Sequence, residues 1–237
     1  MFLERNMVVG PFQCNCRLLA CPRTGHAVLV DPGEEPRKIL STLQSLKLPG
    51  GIPIQVKYLF HTHGHLDHIG ATRPVREELA RLPTSPRAPL IGGEPAKIAL
   101  HAGDEELYRM LRSQGGIFGL THYEDPLPID LYFEHEQEIK VGDLKFSVVH
   151  TPGHSPGSVC LRLHEDSRLG VPETLFSGDT LFAGSVGRID LWGADQDTMF
   201  KSIHQRILAL DDETRVCPGH GPETFIGIEK RENPFLS

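Results

Sequence analysis

A chain of 237 residues with 39% hydrophobic and 23% charged side chains can bury roughly 70% of its unfolded surface, which excludes a disordered or fibrous class; one domain over 1–237 is expected. The formal net charge of -7 and the lack of any Lys/Arg run leave no field for a phosphate backbone, so nucleic acid is not an expected partner. No stretch approaches the ~20 apolar residues of a bilayer span, Glu4 and Arg5 interrupt any signal-like opening, and the cysteines form no disulfide framework or zinc knuckle; a cytoplasmic protein with no membrane partner is expected.

In chain order, apolar runs at 16–21 and 26–31 flank the turn residues Pro22-Arg23-Thr24-Gly25 and read as a hairpin. Residues 36–46 place Ile39, Leu40, Leu43 and Leu46 on one helical face, and 55–60 reads as a short buried strand. Residues 67–82 read as a helix carrying Val75, Leu79 and Leu82, with Asp67 as its cap and a break or late start at Pro74. The proline-rich stretch 83–136 reads as an insertion holding helices at 94–101 and 104–114. Leu107, Met110 and Leu111 share a face there, as an apolar wall over a substrate or a cover for a sheet. Strands at 145–150, 158–163, 173–177 and 215–217 and a helix at 196–210 complete the pattern. Two strand-rich halves, each followed by helices, predict an α+β fold of two packed sheets with helices outside.

Four of the 13 histidines fall in His61-Thr62-His63-Gly64-His65-Leu66-Asp67-His68. At this composition an H-x-H-x-D-H pattern arises by chance roughly twice in a thousand such chains. Residues two apart in an extended loop point the same way, so His63 and His65 can bind one cation, while Asp67 and His68 at the next helix start face a neighbouring position. Further ligands are sought in the Gly-flanked loops at His154, Asp179 and His220. Imidazole and carboxylate donors without thiolate suit two divalent ions, Zn²⁺ before Fe²⁺ or Mn²⁺. His26, His101, His135, His164 and His204 read as ordinary surface or core residues, His61 and His150 as supporting or packing groups, and Cys217 as a buried strand-end thiol rather than a ligand.

These motifs, with Val30-Asp31-Pro32-Gly33, Ser177-Gly178-Asp179-Thr180-Leu181-Phe182, Ser185-Val186-Gly187-Arg188 and Asn233-Pro234-Phe235-Leu236, resemble the metallo-β-lactamase superfamily, and within it the short glyoxalase II-like (hydroxyacylglutathione hydrolase) branch. The resemblance implies a four-layer αββα sandwich with the site along one sheet edge. It implies that His63, His65 and His154 hold one metal, that Asp67, His68 and His220 hold the other, that Asp179 bridges them, and that Asp31 supports the metal loop. Arg188 falls where larger glyoxalase II enzymes place a basic residue that contacts glutathione. Their C-terminal helical region has no counterpart here, and Gly221-Pro222 stands where they carry a Tyr. Lys230 and Arg231 are either further positive charge for a substrate or a solvated pair.

A cation pair about 3.5 to 4 Å apart can hold a hydroxide at neutral pH, and Asp67 could orient it and pass its proton on. A thiolate leaves unaided where an amine must be protonated. The expected substrate is therefore a small-molecule thioester, an S-2-hydroxyacylglutathione first, giving a 2-hydroxy acid and a free thiol. A second class is a mononuclear iron persulfide dioxygenase using His63, His154 and Asp179, although the loop through Arg188 looks more like the hydrolase branch. A β-lactamase is a third reading, against which stand the missing lactamase-type residues at the second site. No feature of the sequence specifies an oligomeric state.

Overall fold

The computed structural model describes residues 2–85 and 87–236. Of the expected 83–136 segment, Pro86 lies outside the described residues, as do Met1 and Ser237 of the expected 1–237 domain. One six-stranded sheet takes β1 (Leu3–Val9), β2 (Cys14–Ala20), β3 (His26–Val30), β4 (Gln55–Phe60), β5 (Lys97–His101) and β6 (Leu131–Phe133) in that order. The other strands are β7 (Glu138–Val141), β8 (Leu144–His150), β9 (Val159–Leu163), β10 (Thr174–Gly178), β11 (Leu181–Phe182), β12 (Ser185–Val186), β13 (Arg215–Pro218) and β14 (Thr224–Phe225). They form a second six-stranded sheet, ordered β14-β13-β10-β9-β8-β7, and the small pair β11-β12.

Alternation along the strands sets the layers. On β2 and β3, Leu18, Ala20, Ala27 and Leu29 face one core while Leu19, Val28 and Val30 face another, because successive side chains point to opposite faces. The second set meets Phe146, Val148, Leu161 and Phe176 of the other sheet, and Phe60 lies edge-on to Phe133 and Phe146, with centroids 5.3 and 5.7 Å away. Each such ring contact adds about 0.5–1.5 kcal/mol beyond area burial.

The first set packs beneath helices α1 (Pro36–Ser45), α2 (Leu66–Ile69), α3 (Thr72–Arg81), α4 (Glu105–Arg109) and α5 (Leu111–Ile117), through Ile39, Leu43, Val75, Leu79, Tyr108 and Leu111. On the far side, Cys160, Leu175 and Val216 meet Ile207 and Ile226. Those two come from α6 (Gln196–Ser202), which runs into a wider turn over Ile203–Ile207, and from α7 (Ile226–Glu232). The layers are therefore helix, sheet, sheet, helix.

Strand direction positions everything that follows. β3 to β6 are mutually parallel, joined by helical crossovers, and β8, β10 and β13 run one way because β9 is antiparallel to both β8 and β10 while β13 is parallel to β10. Their carboxyl ends emerge along one edge, where ligand-binding loops gather in α/β sheets.

Several expected elements are corrected. Residues 94–101 hold a strand, β5, rather than a helix; a short apolar run has no period that tells the two apart, and parallel partners on both sides decide it. β5 and β6 thus make parts of the 83–136 segment integral to the first sheet. The 67–82 helix is broken at Gly70 and Ala71, and Pro74 sits in the first turn of α3, where its missing N–H costs nothing. Asp67 makes no capping hydrogen bond to α2. β1, β6, β7, β11, β12, β14 and α7 have no counterpart among the expected elements; β1 is a half-exposed edge strand whose Glu4, Arg5 and Asn6 break up its apolar pattern. Leu107 and Leu111 are buried, while Met110, Ile117 and Phe118 are exposed.

At the same edge His101 stacks on His150 with centroids 3.9 Å apart. Burial first, then His150, pushes the His101 imidazole down to about 4; burial also lowers His150, with Arg206 and His135 adding and Pro156 and Asp104 opposing. A histidine lowered on folding binds more protons in the unfolded chain, so its stability contribution is whole above about pH 6.5 and is lost as pH falls toward about 4. His101→Phe keeps the stack without the charge. Unfolding curves across pH 4–7 should show a shallower acid loss in the variant than in the wild type, and identical slopes would show that the stack does not titrate as described.

Candidate metal centre

The loop after β4 carries the histidine cluster, and its first turns are tied down before any ligand is considered. Asp31, one residue past β3, accepts Thr62 N–H on Oδ1 at 2.8 Å and Thr62 Oγ1–H on Oδ2 at 2.8 Å. The same Oδ2 lies 3.0 Å from His68 Nδ1. A carboxylate only accepts, so that nitrogen carries a proton and Nε2 is the His68 atom turned toward Asp179 and His220. With Thr62 donating to Asp31, its oxygen can take the Nδ1–H of His63 at 3.0 Å, freeing His63 Nε2. The carbonyl of Arg188 accepts Nδ1–H of His154 at 2.8 Å, freeing Nε2 there as well. Three rings are thereby oriented, and His63 and His154 are set in the tautomer that frees Nε2, as metal-binding histidines require.

These nitrogens converge. His63, His65 and His154 each offer a ligand atom within 4.8 Å of the others, and so do His63, His68 and Asp179, and Asp67, His68 and His220. His65 Nδ1 lies 2.9 Å from His154 Nε2, and His68 Nε2 lies 3.2 Å from His220 Nε2. Asp179 stands between the groups, Oδ1 3.3 Å from His68 Nε2 and Oδ2 3.7 and 3.6 Å from His154 and His220 Nε2. Asp67 Oδ2 is 3.1 Å from His220 Nε2, which is where its carboxylate goes instead of capping α2. All seven residues singled out from the sequence thus meet at one edge.

Electrostatics suit cation binding. Burial drives His63 well below the usual imidazole range and His65 to about 3, with neighbouring histidines adding, so both rings are neutral near pH 7, the form that ligates. At His68 burial opposes the charge, but Cys14, Asp179, Asp67 and Asp31 outweigh it and hold the imidazole well above its usual value. The Cys14 thiol, pushed by burial to about 12, is itself neutral, so the carboxylates are the charges that count. Burial likewise opposes ionisation of Asp67 and Asp179, and the histidines, His68 foremost, override it and keep both low. Among the described residues, His63 Nε2 and Asp179 Oδ1 are buried with no hydrogen-bond partner. An unmet buried acceptor costs about 1–3 kcal/mol, and a cation satisfies both at once. The donor set therefore fits divalent ions.

Close approaches here require glycine, at Gly33 and Gly219 among others. A Cβ on Gly33 would lie 1.5 Å from the Asp67 carbonyl oxygen, and one on Gly219 would lie 2.3 Å from Asp179 Oδ1.

Other expected residues fall outside the cluster. Arg188 extends its exposed side chain to Asp190, at 2.9 and 3.0 Å, while its carbonyl orients His154. His61 is buried and shares a 3.2 Å contact with Thr72 Oγ1, and His150 stacks as described. Cys217 is buried and falls with Glu4 and Glu223 rather than with His220. Arg17 lies 2.8 Å from both those carboxylates, which makes the group an ion-pair cluster. Lys230 pairs with Asp212. Residues the sequence reading missed are Thr62, Asn15, Asp104 and Gln114. Asn15 Nδ2 donates to Pro218 O and Gly221 O, on either side of His220.

The profile described as the metallo-beta-lactamase superfamily matches residues 9–220. Hydroxyacylglutathione hydrolase GloC of Haemophilus influenzae is 35% identical over 230 residues, 97% of this chain and 95% of its own. Among solved structures, BLEG-1, a B3 metallo-beta-lactamase, is 32% identical with TM-score 0.79, over 99% of this chain and 100% of its own. TTHA1623 in a di-iron-bound form is 38% identical with TM-score 0.77, over 98% and 100%.

Replacing Asp31 by Ala strands Thr62 N–H and His68 Nδ1–H in the interior. Urea unfolding of the metal-stripped variant should show a loss of about 3 kcal/mol or more, and a loss below about 1 kcal/mol would remove Asp31 from its organising place.

Proposed function

This chain belongs to the metallo-β-lactamase superfamily, and from that premise we propose that it hydrolyses thioesters of the S-2-hydroxyacylglutathione class, giving a 2-hydroxy acid and a free thiol. The observation that carries the reading is the meeting of His63, His65 and His154 with Asp67, His68 and His220 around Asp179. The likeness to a protein named hydroxyacylglutathione hydrolase supports the substrate class.

Each group would hold one divalent ion, with Asp179 shared. Zinc suits the imidazole and carboxylate donors, manganese is an alternative, and iron is the comparison metal because TTHA1623 has been seen in a di-iron form. Bound divalent ions supply Lewis acidity and bring the pKa of water from 15.7 to about 7.

The remaining work falls to the chain's own side chains. Asp67, kept ionised beside His68 and His220, is placed to take a proton from the attacking water. No dedicated acid for the leaving group is required, since a thiol of pKa about 8.5 departs as thiolate. Arg188 can exchange Asp190 for a substrate carboxylate at little expense, both partners of that pair being about two-thirds exposed. The five cysteines are free and buried, which supports a reducing, cytoplasmic setting. Among the described residues no helix is long and apolar enough to cross a membrane.

The likeness to BLEG-1 favours one second reading, cleavage of a β-lactam amide in the same site. Steady-state hydrolysis of S-D-lactoylglutathione by zinc- and iron-loaded protein separates the two, with nitrocefin run alongside. Turnover of the thioester should vanish on chelation and on Asp179→Ala, and Asp67→Asn should lower kcat by about 10²–10⁴ with metal content measured in parallel. No thioester turnover with either metal would retire this substrate, and nitrocefin turnover would put the amide reading in its place.

A further inference from the structure

Two buried polar side chains lie outside the seven converging residues and hydrogen-bond to none of them. Asp104 is fully buried and Gln114 is 8% exposed. Both come from the 83–136 segment; Asp104 spends its hydrogen bonds on the loops that carry His65 and His154, and Gln114 spends two of its three on the His65 loop. Asp104 Oδ2 accepts Gly64 N–H at 2.8 Å and Ser155 Oγ–H at 2.6 Å, and its Oδ1 accepts Gly157 N–H at 2.5 Å. Gln114 Oε1 accepts Leu66 N–H at 2.9 Å, while its Nε2 donates to Gly64 O at 3.0 Å and Leu107 O at 2.8 Å.

The two peptide groups that flank His65 are therefore held by Gln114, and the one before them, between His63 and Gly64, is held by Asp104. One of those side chains also holds the residue after His154. The approach at Gly157 is too close for a side chain, a Cβ there lying 2.4 Å from Asp104 N, and Gly64 is tightly packed, a Cβ lying 3.1 Å from Asp104 O and Tyr108 N.

The other group is braced differently. His68 is oriented by Asp31, and the His220 loop is held by Asn15. We propose that Asp104 and Gln114 are positioning residues that set His65 and His154 for one cation, the one shared with His63, and leave the Asp67, His68 and His220 group to its own supports. A partner that orients a ligand without touching the metal typically changes affinity by about 10- to 100-fold. Here the effect should fall on one binding step of two. The inference rests on the ligand assignment above and on no property of the thioester.

The test is a titration of metal-free protein with Zn²⁺ against a competing chelator, comparing the wild type with Asp104→Asn, Gln114→Met, His65→Ala and His220→Ala. The two histidine variants identify the two steps. Asp104→Asn and Gln114→Met should each loosen the step that His65→Ala removes by about 10- to 100-fold, and should leave the step that His220→Ala removes within about twofold. The visible spectrum of the Co²⁺ forms should change in the same step. Both steps unchanged, or both weakened equally, would overturn the proposal. Thermal unfolding of the metal-free proteins shows whether each variant folds, and Gln114→Met carries the test if Asp104→Asn does not. If His65→Ala binds two ions as the wild type does, the ligand assignment fails and the brace with it. If His65→Ala loses a step that both brace variants keep, only the brace fails.

Discussion

One buried carboxylate sets out the edge where the loops meet. Asp31 takes three donors, from the backbone and hydroxyl of Thr62 and from His68, and those contacts orient His63 and His68 before any ion is present. Its backbone is left-handed, with φ 49°, a conformation that costs a non-glycine residue about 1–2 kcal/mol. The hydrogen bond from its N–H to Phe60 O and the three side-chain contacts offset that cost. The left-handed turn also leads into Gly33 beneath the Asp67 carbonyl, so one strained residue settles both the ring orientations and the path of the chain under the ligand loop.

The part of the site that could be read from the sequence is the part that local geometry controls. His63, His65, Asp67 and His68 lie within six residues, and the period of an extended loop running into a helix already divides them into two directions. His154, Asp179 and His220 were found through Gly-flanked loops and family resemblance, since nothing local to them says that they meet. Asp104 could not be found at all: its three partners lie 40, 51 and 53 residues away, and a lone Asp before a helix looks like a cap. Arg188 shows the converse. Its side chain drew attention, yet the carbonyl is what touches His154, and a backbone contact leaves no mark on residue type.

The fold was legible in the same way. Layering follows from two strand-rich halves, each followed by helices, whereas β5 reads as a helix because Ile98, Ala99 and Leu100 are buried on both sides and show no alternation. That error hid the architecture of the 83–136 stretch. With β5 and β6 in the sheet, the helices between them are an ordinary parallel crossover, and such crossovers deliver their first residues to the carboxyl edge. Asp104 arrives beside the ligand loops for that reason.

Each candidate group draws ligands from both sheets: His63 and His65 from the first with His154 from the second, Asp67 and His68 from the first with His220 from the second. An ion held by either group is then a rivet through the interface between the sheets, in line with the apolar layer around Phe60 and Phe146. Opening that interface would release the ion, so its binding energy counts directly against separation of the two halves, about 4 kcal/mol per site at a thousandfold excess over Kd. Chemistry and mechanical cohesion would share the same seven side chains.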